Sequence, residues 1–187
     1  MGACYGGKAG VAQILLDHGA NPNLGKGVYT SPILIATRLN YLKTLAVLLK
    51  APDIQVNVKR ARDGATPLIH AALHMGPKAT QDLLEAGADP NLVDHEDNTA
   101  LIHAAWKGNP QVVKHLCDKG ANVLYESKKR GFALTVAAKE NNTECVDIID
   151  QKFLPLFRAL NKAISDGHTS IRDWWRGQKT TTQSSMS

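Results

Sequence analysis

The sequence predicts an all-α solenoid, built from helix–turn–helix pairs stacked in series. The first observation is a repeated phrase. Thr66-Pro67-Leu68-Ile69-His70-Ala71-Ala72 returns as Thr99-Ala100-Leu101-Ile102-His103-Ala104-Ala105, an offset of 99 − 66 = 33 residues. The second is that each phrase leads to a Gly-Ala pair, Gly87-Ala88 and Gly120-Ala121, with the same offset. A fixed period of this size belongs to stacked supersecondary units rather than to one globular core. The third is composition. Aromatics are only 5% of the chain, and small apolar residues suit helices packed at close range. Such a chain points to surface recognition rather than pocket chemistry.

The copies run along the chain in order. Residues 3–23 hold the end of a unit: Ala3-Cys4, Gly7, Ile14-Leu15-Leu16 and Gly19-Ala20-Asn21-Pro22-Asn23. This copy begins inside its first helix, so a fragment or an incomplete gene is expected. Residues 28–57 carry Ser31-Pro32-Ile33-Leu34, Ala36-Thr37 and Val47-Leu48-Leu49. Pro52 stands there at the usual glycine, 35 residues before Gly87, and the two extra residues are expected in the loop 51–62. Residues 63–91 repeat strongly, although Met75-Gly76-Pro77 displaces the glycine between the helices.

Residues 97–121 are the clearest copy. Asp97-Asn98-Thr99 offers a turn and a helix cap, with the Thr hydroxyl accepting from a free backbone N–H. A two-turn helix follows over Ala100 to Lys107, stopped by Gly108. Asn109-Pro110 restarts the chain as cap and first helical residue, where proline's missing N–H costs little. Val112, Val113, Leu116 and Cys117 recur at helical spacing and mark the packed face. Gly120 ends the second helix in a left-handed conformation.

Residues 131–150 hold a fifth copy, with Ala133-Leu134, Ala137-Ala138 and Val146-Asp147-Ile148-Ile149. Beyond Asp150 the pattern decays. Leu156, Phe157, Leu160, Ala163 and Ile164 share one helical face, Ser165-Asp166-Gly167 breaks it, and Ser170-Ile171-Arg172-Asp173 is a capping box for a helix with Trp174 and Trp175. Residues 151–176 are expected to be a degenerate capping repeat, with the two tryptophans sealing the stack or docking a partner. Residues 177–187 are polar, without periodicity, and expected to be disordered.

T-P-L-x-x-A-A, a turn, an apolar helix and G-A-x-x-N together resemble the ankyrin repeat, over about four fifths of the chain. The resemblance implies about five repeats of two antiparallel helices with a projecting β-hairpin or loop finger, plus a divergent C-terminal helical cap. It also implies that the alanines at 71, 72, 104, 105, 137 and 138 let helices approach, and that Leu68, Leu101 and Leu134 fill the space between repeats. Each such leucine contributes roughly 1.5–3 kcal/mol by burial.

The family places its concave binding face on finger tips and on the outer side of each first helix. By alignment the tips are Val28 and Tyr29; Lys59, Arg60 and Arg62; His95 and Glu96; and Lys128, Lys129 and Arg130. The helix positions are Tyr5; Arg38 and Leu39; Leu73 and His74; Trp106 and Lys107; and Lys139 and Glu140. The expected partner-binding residues are Arg38, Lys59, Arg60, Arg62, His74, Trp106, Lys107, Lys128, Lys129, Arg130 and Lys139. Glu96, Glu140, Asp63, Asp94 and Asp97 stand against these cations. Trp106 lies mid-stack where the fold does not require an aromatic, and Trp and Arg are enriched at binding hot spots. The set reads as a dock for an acidic or mixed acidic/apolar protein surface.

Other chemistry finds little support. His70 and His74 are one helical turn apart, a spacing that can hold zinc, but no carboxylate or Cys completes the set. His70 and His103 are instead expected to make structural hydrogen bonds between units. There is no G-x-S-x-G, P-loop, H-E-x-x-H or dinucleotide fingerprint, so no enzyme and no cofactor is expected. A net charge of +5 is low for nucleic-acid binding, and no base-stacking platform is visible. No apolar run approaches the ~20 residues of a membrane span, and the start lacks the pattern of a secretory signal. Cys4, Cys117 and Cys145 fall at buried positions without C-x-x-C pairing. They point to free thiols, a reducing compartment and, most simply, the cytoplasm, with nuclear or host-cell delivery open. The expectation is a monomeric, non-catalytic protein-interaction module. The rival reading is the targeting or adaptor region of a larger protein or secreted bacterial effector.

Overall fold

The computed structural model describes residues 2–25 and 31–165. It divides into two compact units, Met1–Ile149 and Asp150–Ser187. The tip residues Val28 and Tyr29, the helix expected around Trp174 and Trp175, and the Ser/Thr tail lie outside the described residues.

The first unit is a run of helix pairs. They are α1 (Gly2–Tyr5) with α2 (Ala9–Asp17), α3 (Pro32–Arg38) with α4 (Leu42–Leu48), and α5 (Pro67–His70) with α6 (Pro77–Glu85). Then come α7 (Ala100–Lys107) with α8 (Pro110–Asp118), and α9 (Ala133–Lys139) with α10 (Thr143–Ser165). The first helices stack α1 on α3, α3 on α5, α5 on α7 and α7 on α9. The second helices stack α2 on α4, α4 on α6 and α6 on α8. The serial architecture expected from the 33-residue period is therefore present.

Local chemistry explains the helix starts. Proline opens α3, α5, α6 and α8, where a missing N–H is harmless. Thr66 accepts from the Ile69 N–H at 3.2 Å and Thr99 from the Ile102 N–H at 3.3 Å. Asn109 accepts from the Val112 N–H at 3.2 Å. Each cap is worth about 1 kcal/mol. Gly108 ends α7 with φ 67°. One unit earlier Met75 holds that position, and its Cβ disfavours a left-handed backbone. There the helix opens instead into a π-turn over Ala71–Met75, and Gly76 takes φ 83°.

The core lies between stacked helices. Leu68 and Leu101 are each 1% exposed, and Ala71, Ala104 and Ala137 have no exposed surface. Leu134 and Ala138 depart from the expectation: Leu134 is half-buried and Ala138 exposed. Within this unit no first helix follows α9 to cover them. Cys4, Cys117 and Cys145 are buried and free. Burial pushes the thiol pKa of Cys4 and Cys145 upward.

Asparagines tie the units together below the helices. Asn23 donates from Nδ2 to the Asp53 carbonyl at 2.6 Å and accepts from the Gln55 N–H at 2.8 Å. Asn57 accepts from the Asp89 N–H at 2.9 Å. Asn91 donates to the Gly120 carbonyl at 3.2 Å and accepts from the Asn122 N–H at 2.7 Å. This register locates the two extra residues. One lies between Pro52 and Asn57. The other lies in the next finger, where the Arg60 N–H reaches the Ala65 carbonyl, whereas Asp94 reaches Asn98. Arg60 thus takes the place of Asp94.

The fingers are short. β1 (Glu126–Ser127) pairs antiparallel with β2 (Gly131–Phe132), and the preceding finger is a single bridge between Val93 and Thr99. Of the second unit, the described residues are the last part of α10. That helix does not stop at Asp150 but runs to Ser165 with Pro155 inside it.

Candidate functional site

The expected site residues fall on fingers and on the ends of first helices, and the structure sorts them by what they already touch. Lys59 is exposed but donates from Nζ to the Val93 carbonyl at 2.7 Å, bridging two fingers. Arg60 is turned inward onto Asp63. Its Nε donates to Oδ1 at 2.8 Å and its Nη2 pairs with Oδ2. That contact holds the Asp63 carboxyl down at about 2. Lys129 pairs with Glu96 across adjacent fingers. These cations are partly spent inside the molecule.

A second group converges on Trp106. The indole is half-buried at the end of α7. The Lys107 ammonium lies 4.8 Å from its ring centroid, and the Arg130 guanidinium carbon lies 4.7 Å from the same centroid. Arg130 comes from the next finger, so the ring joins two units. Its Nε is buried without a hydrogen-bond partner. Among the described residues neither Lys107 nor Arg130 has an acidic partner within ion-pair distance. His74 belongs to the same neighbourhood. Its pKa is pushed down by burial first, then by the positive Lys107, His103 and Arg60.

The remaining residues are more dispersed. Arg38 is exposed at the end of α3, and Lys139 is exposed at the end of α9, 33 residues beyond Trp106. Arg62 and Lys128 are exposed on their fingers. The backbone N–H of Lys128 donates to Asp97 Oδ2 at 3.0 Å.

Sequence reasoning missed the groups that hold the finger carrying Arg130. Asp97 accepts from the Tyr125 hydroxyl at 2.6 Å, which pushes the phenol up to about 12. Ser127 donates to Asn98 Oδ1 at 2.8 Å, a fully buried contact. The signal available was only a polar residue beside each tip, and the partners are about 30 residues apart.

The histidines correct one expectation. His103 Nε2 donates to Asp94 Oδ2 at 2.7 Å, within the finger that leads into its own helix rather than between units. His70, its counterpart, is 5% exposed, and neither ring nitrogen has a hydrogen-bond partner. The reason is the finger register: Arg60 stands where Asp94 stands in the next unit.

Comparison with known proteins agrees with the stacked pairs. The family model for ankyrin repeats (three copies) matches residues 1–94 and 76–154. A relative from Neurospora crassa, ankyrin repeat protein nuc-2, is 36% identical over 96 residues. The match covers 51% of this chain but only 9% of that relative. With the family model spanning most of the chain and the helix pairs stacked as its repeats require, this chain belongs to the ankyrin repeat family.

Proposed function

We propose that this chain is a non-catalytic protein-interaction module whose finger and first-helix side binds an acidic or mixed acidic/apolar surface of another protein. The observation that carries the reading is Trp106 with Lys107 and Arg130 against one ring and no internal carboxylate to neutralise them. Stacking on an indole holds a guanidinium in place, and a planar guanidinium suits a partner carboxylate through paired hydrogen bonds. The indole supplies apolar contact beside it. A surface already set by packed helices and tied fingers loses little freedom on binding. The wider set runs from Arg38 through Lys59, Arg60, Arg62 and His74 to Lys128, Lys129 and Lys139. It supplies a surrounding positive field that speeds encounter with acidic partners. The reading places the protein in the cytoplasm and gives nucleic acid no role.

Affinity capture with mass spectrometry tests it. Trp106→Ala and the triple change of Lys128, Lys129 and Arg130 to Glu each weaken capture of the same partners without unfolding the chain. Wild-type recovery by both variants overturns the assignment of the face.

A second reading is favoured by one observation. The chain spans about a tenth of the length of the relative from Neurospora crassa. On that reading it is the targeting or adaptor region of a larger protein, or of a secreted bacterial effector, and positions an activity held elsewhere.

A further inference from the structure

We propose that the outer face of α2 is a self-association surface, through which two copies of the chain pair antiparallel about a two-fold axis. α2 exposes Val11, Ile14 and Leu15 at 44%, 59% and 45%. Scattered apolar residues need no explanation, but these three are contiguous on one helix. Their repeat counterparts show what the face is built for. Val11 corresponds to Val112 and Leu15 to Leu116 in α8, and both counterparts have no exposed surface. α8 is covered by α7 and by α6. α2 has α1 in the place of α7, but no described helix in the place of α6. The face has interior chemistry, and an aliphatic helix fits it.

A second α2 is such a helix, and its charges set the direction. Helical spacing aligns Lys8, Val11 and Leu15 on one stripe, with Ile14 and Asp17 beside it. Lys8 and Asp17 are exposed at opposite ends. In an antiparallel pair, Lys8 of one copy meets Asp17 of the other, twice over. A parallel pair would set like charges together at both ends. The helix dipoles also favour the antiparallel arrangement. Within the chain Asp17 accepts from Gln13 Nε2 at 2.8 Å, and among the described residues no carboxylate pairs with Lys8. Pairing here replaces the monomer expected from the sequence. It does not use the Trp106 surface, which sits on α7 and the finger that follows α8, so a dimer carries two copies of that surface.

Sedimentation equilibrium of the full chain over a wide concentration range tests the pairing. The expected mass rises with concentration from one chain of 20.2 kDa towards two. The double variant Ile14→Glu/Leu15→Glu stays at one chain, with circular dichroism verifying that its helices persist. Lys8→Asp and Asp17→Lys leave the apolar face untouched. Each alone weakens association, and together they restore it. A single-chain mass at every concentration overturns the proposal, as does a dimer indifferent to the double variant. A dimer that the paired charge reversal fails to restore also overturns it.

Discussion

Asp94 and His103 lie 2.7 Å apart, carboxylate oxygen to ring nitrogen, and this contact has no counterpart in the preceding unit. Asp94 also accepts from the backbone N–H groups of Glu96 and Asn98, each at 2.9 Å. One side chain thus closes its finger and anchors it to α7. One unit earlier Arg60 occupies the position and turns to Asp63 instead. Asp94→Ala leaves a buried ring without a partner and opens the finger. The expected loss is about 1–3 kcal/mol, read as a lower urea midpoint, while His70→Gln costs less because no hydrogen bond is broken.

His70 makes the stability of the fold depend on pH. Burial, then the nearby Arg60, push its pKa from 6.5 down to about 4, while Asp63 acts weakly in the other direction. His74 and Arg38 add to the downward push. Between those two values the unfolded chain holds a proton that the folded chain refuses. Stability therefore falls as pH drops from 6.5 towards 4, and this contribution is flat below. At about 1.4 kcal/mol per pKa unit, the loss is on the order of 3 kcal/mol. Asp63 acts lower. Its carboxyl is depressed from 3.8 to about 2, so the stability it adds is present above 3.8 and disappears as pH falls through 2. Urea titrations between pH 7.5 and 4.5 are expected to show the His70 slope, and His70→Gln to flatten most of it. An unchanged slope in that variant places the titrating group elsewhere.

The sorting of cations gives a graded expectation for binding. Lys107 and Arg130 rest on Trp106 without acidic partners, whereas Arg60 and Lys129 are held by Asp63 and Glu96. Charge reversal at Lys107 or Arg130 is expected to lower partner affinity about tenfold or more, as loss of a charged contact at a hot spot does. Reversal at Lys129 is expected to matter about as little as a surface ion pair does. Binding also weakens with added salt. Titration calorimetry of each variant with the captured partner checks the order, and equal losses at all these positions would remove the special standing of the Trp106 group.

The repeat was legible because its own residues enforce it: Thr99, Asn109, Pro110 and Gly108 act within a few residues of where they stand. The inter-unit ties were not. Asn91 reaching Gly120 and Tyr125 reaching Asp97 join positions about 30 residues apart, and nothing in either neighbourhood names the other. The same limit applies to the site. The sequence placed Arg60, Arg130 and Lys129 together as finger cations, and only packing separates Arg130, stacked on an indole, from two residues paired internally. The π-turn was half legible. Met75-Gly76-Pro77 announced a displaced glycine, but whether the helix would shorten or widen depended on its neighbours.

Two glycines test how tightly those neighbours constrain the turns. Gly108 and Gly76 both have positive φ, 67° and 83°. A Cβ at Gly76 would meet nothing within 4 Å, whereas one at Gly108 would overlap the side chain of Asn142. Asn142 is itself engaged, donating from Nδ2 to the Ala105 carbonyl at 2.8 Å. Alanine at position 76 therefore carries only the cost of a left-handed backbone, about 1–2 kcal/mol. Alanine at 108 carries that cost and must also displace Asn142 from the end of α7, losing a hydrogen bond worth about 1 kcal/mol more. Thermal unfolding of the two variants is expected to show the larger drop for Gly108→Ala. Adding Asn142→Ala relieves the overlap, so the double variant loses less than the two single losses summed. Strict additivity would mean that α7 and Asn142 are not in contact in solution.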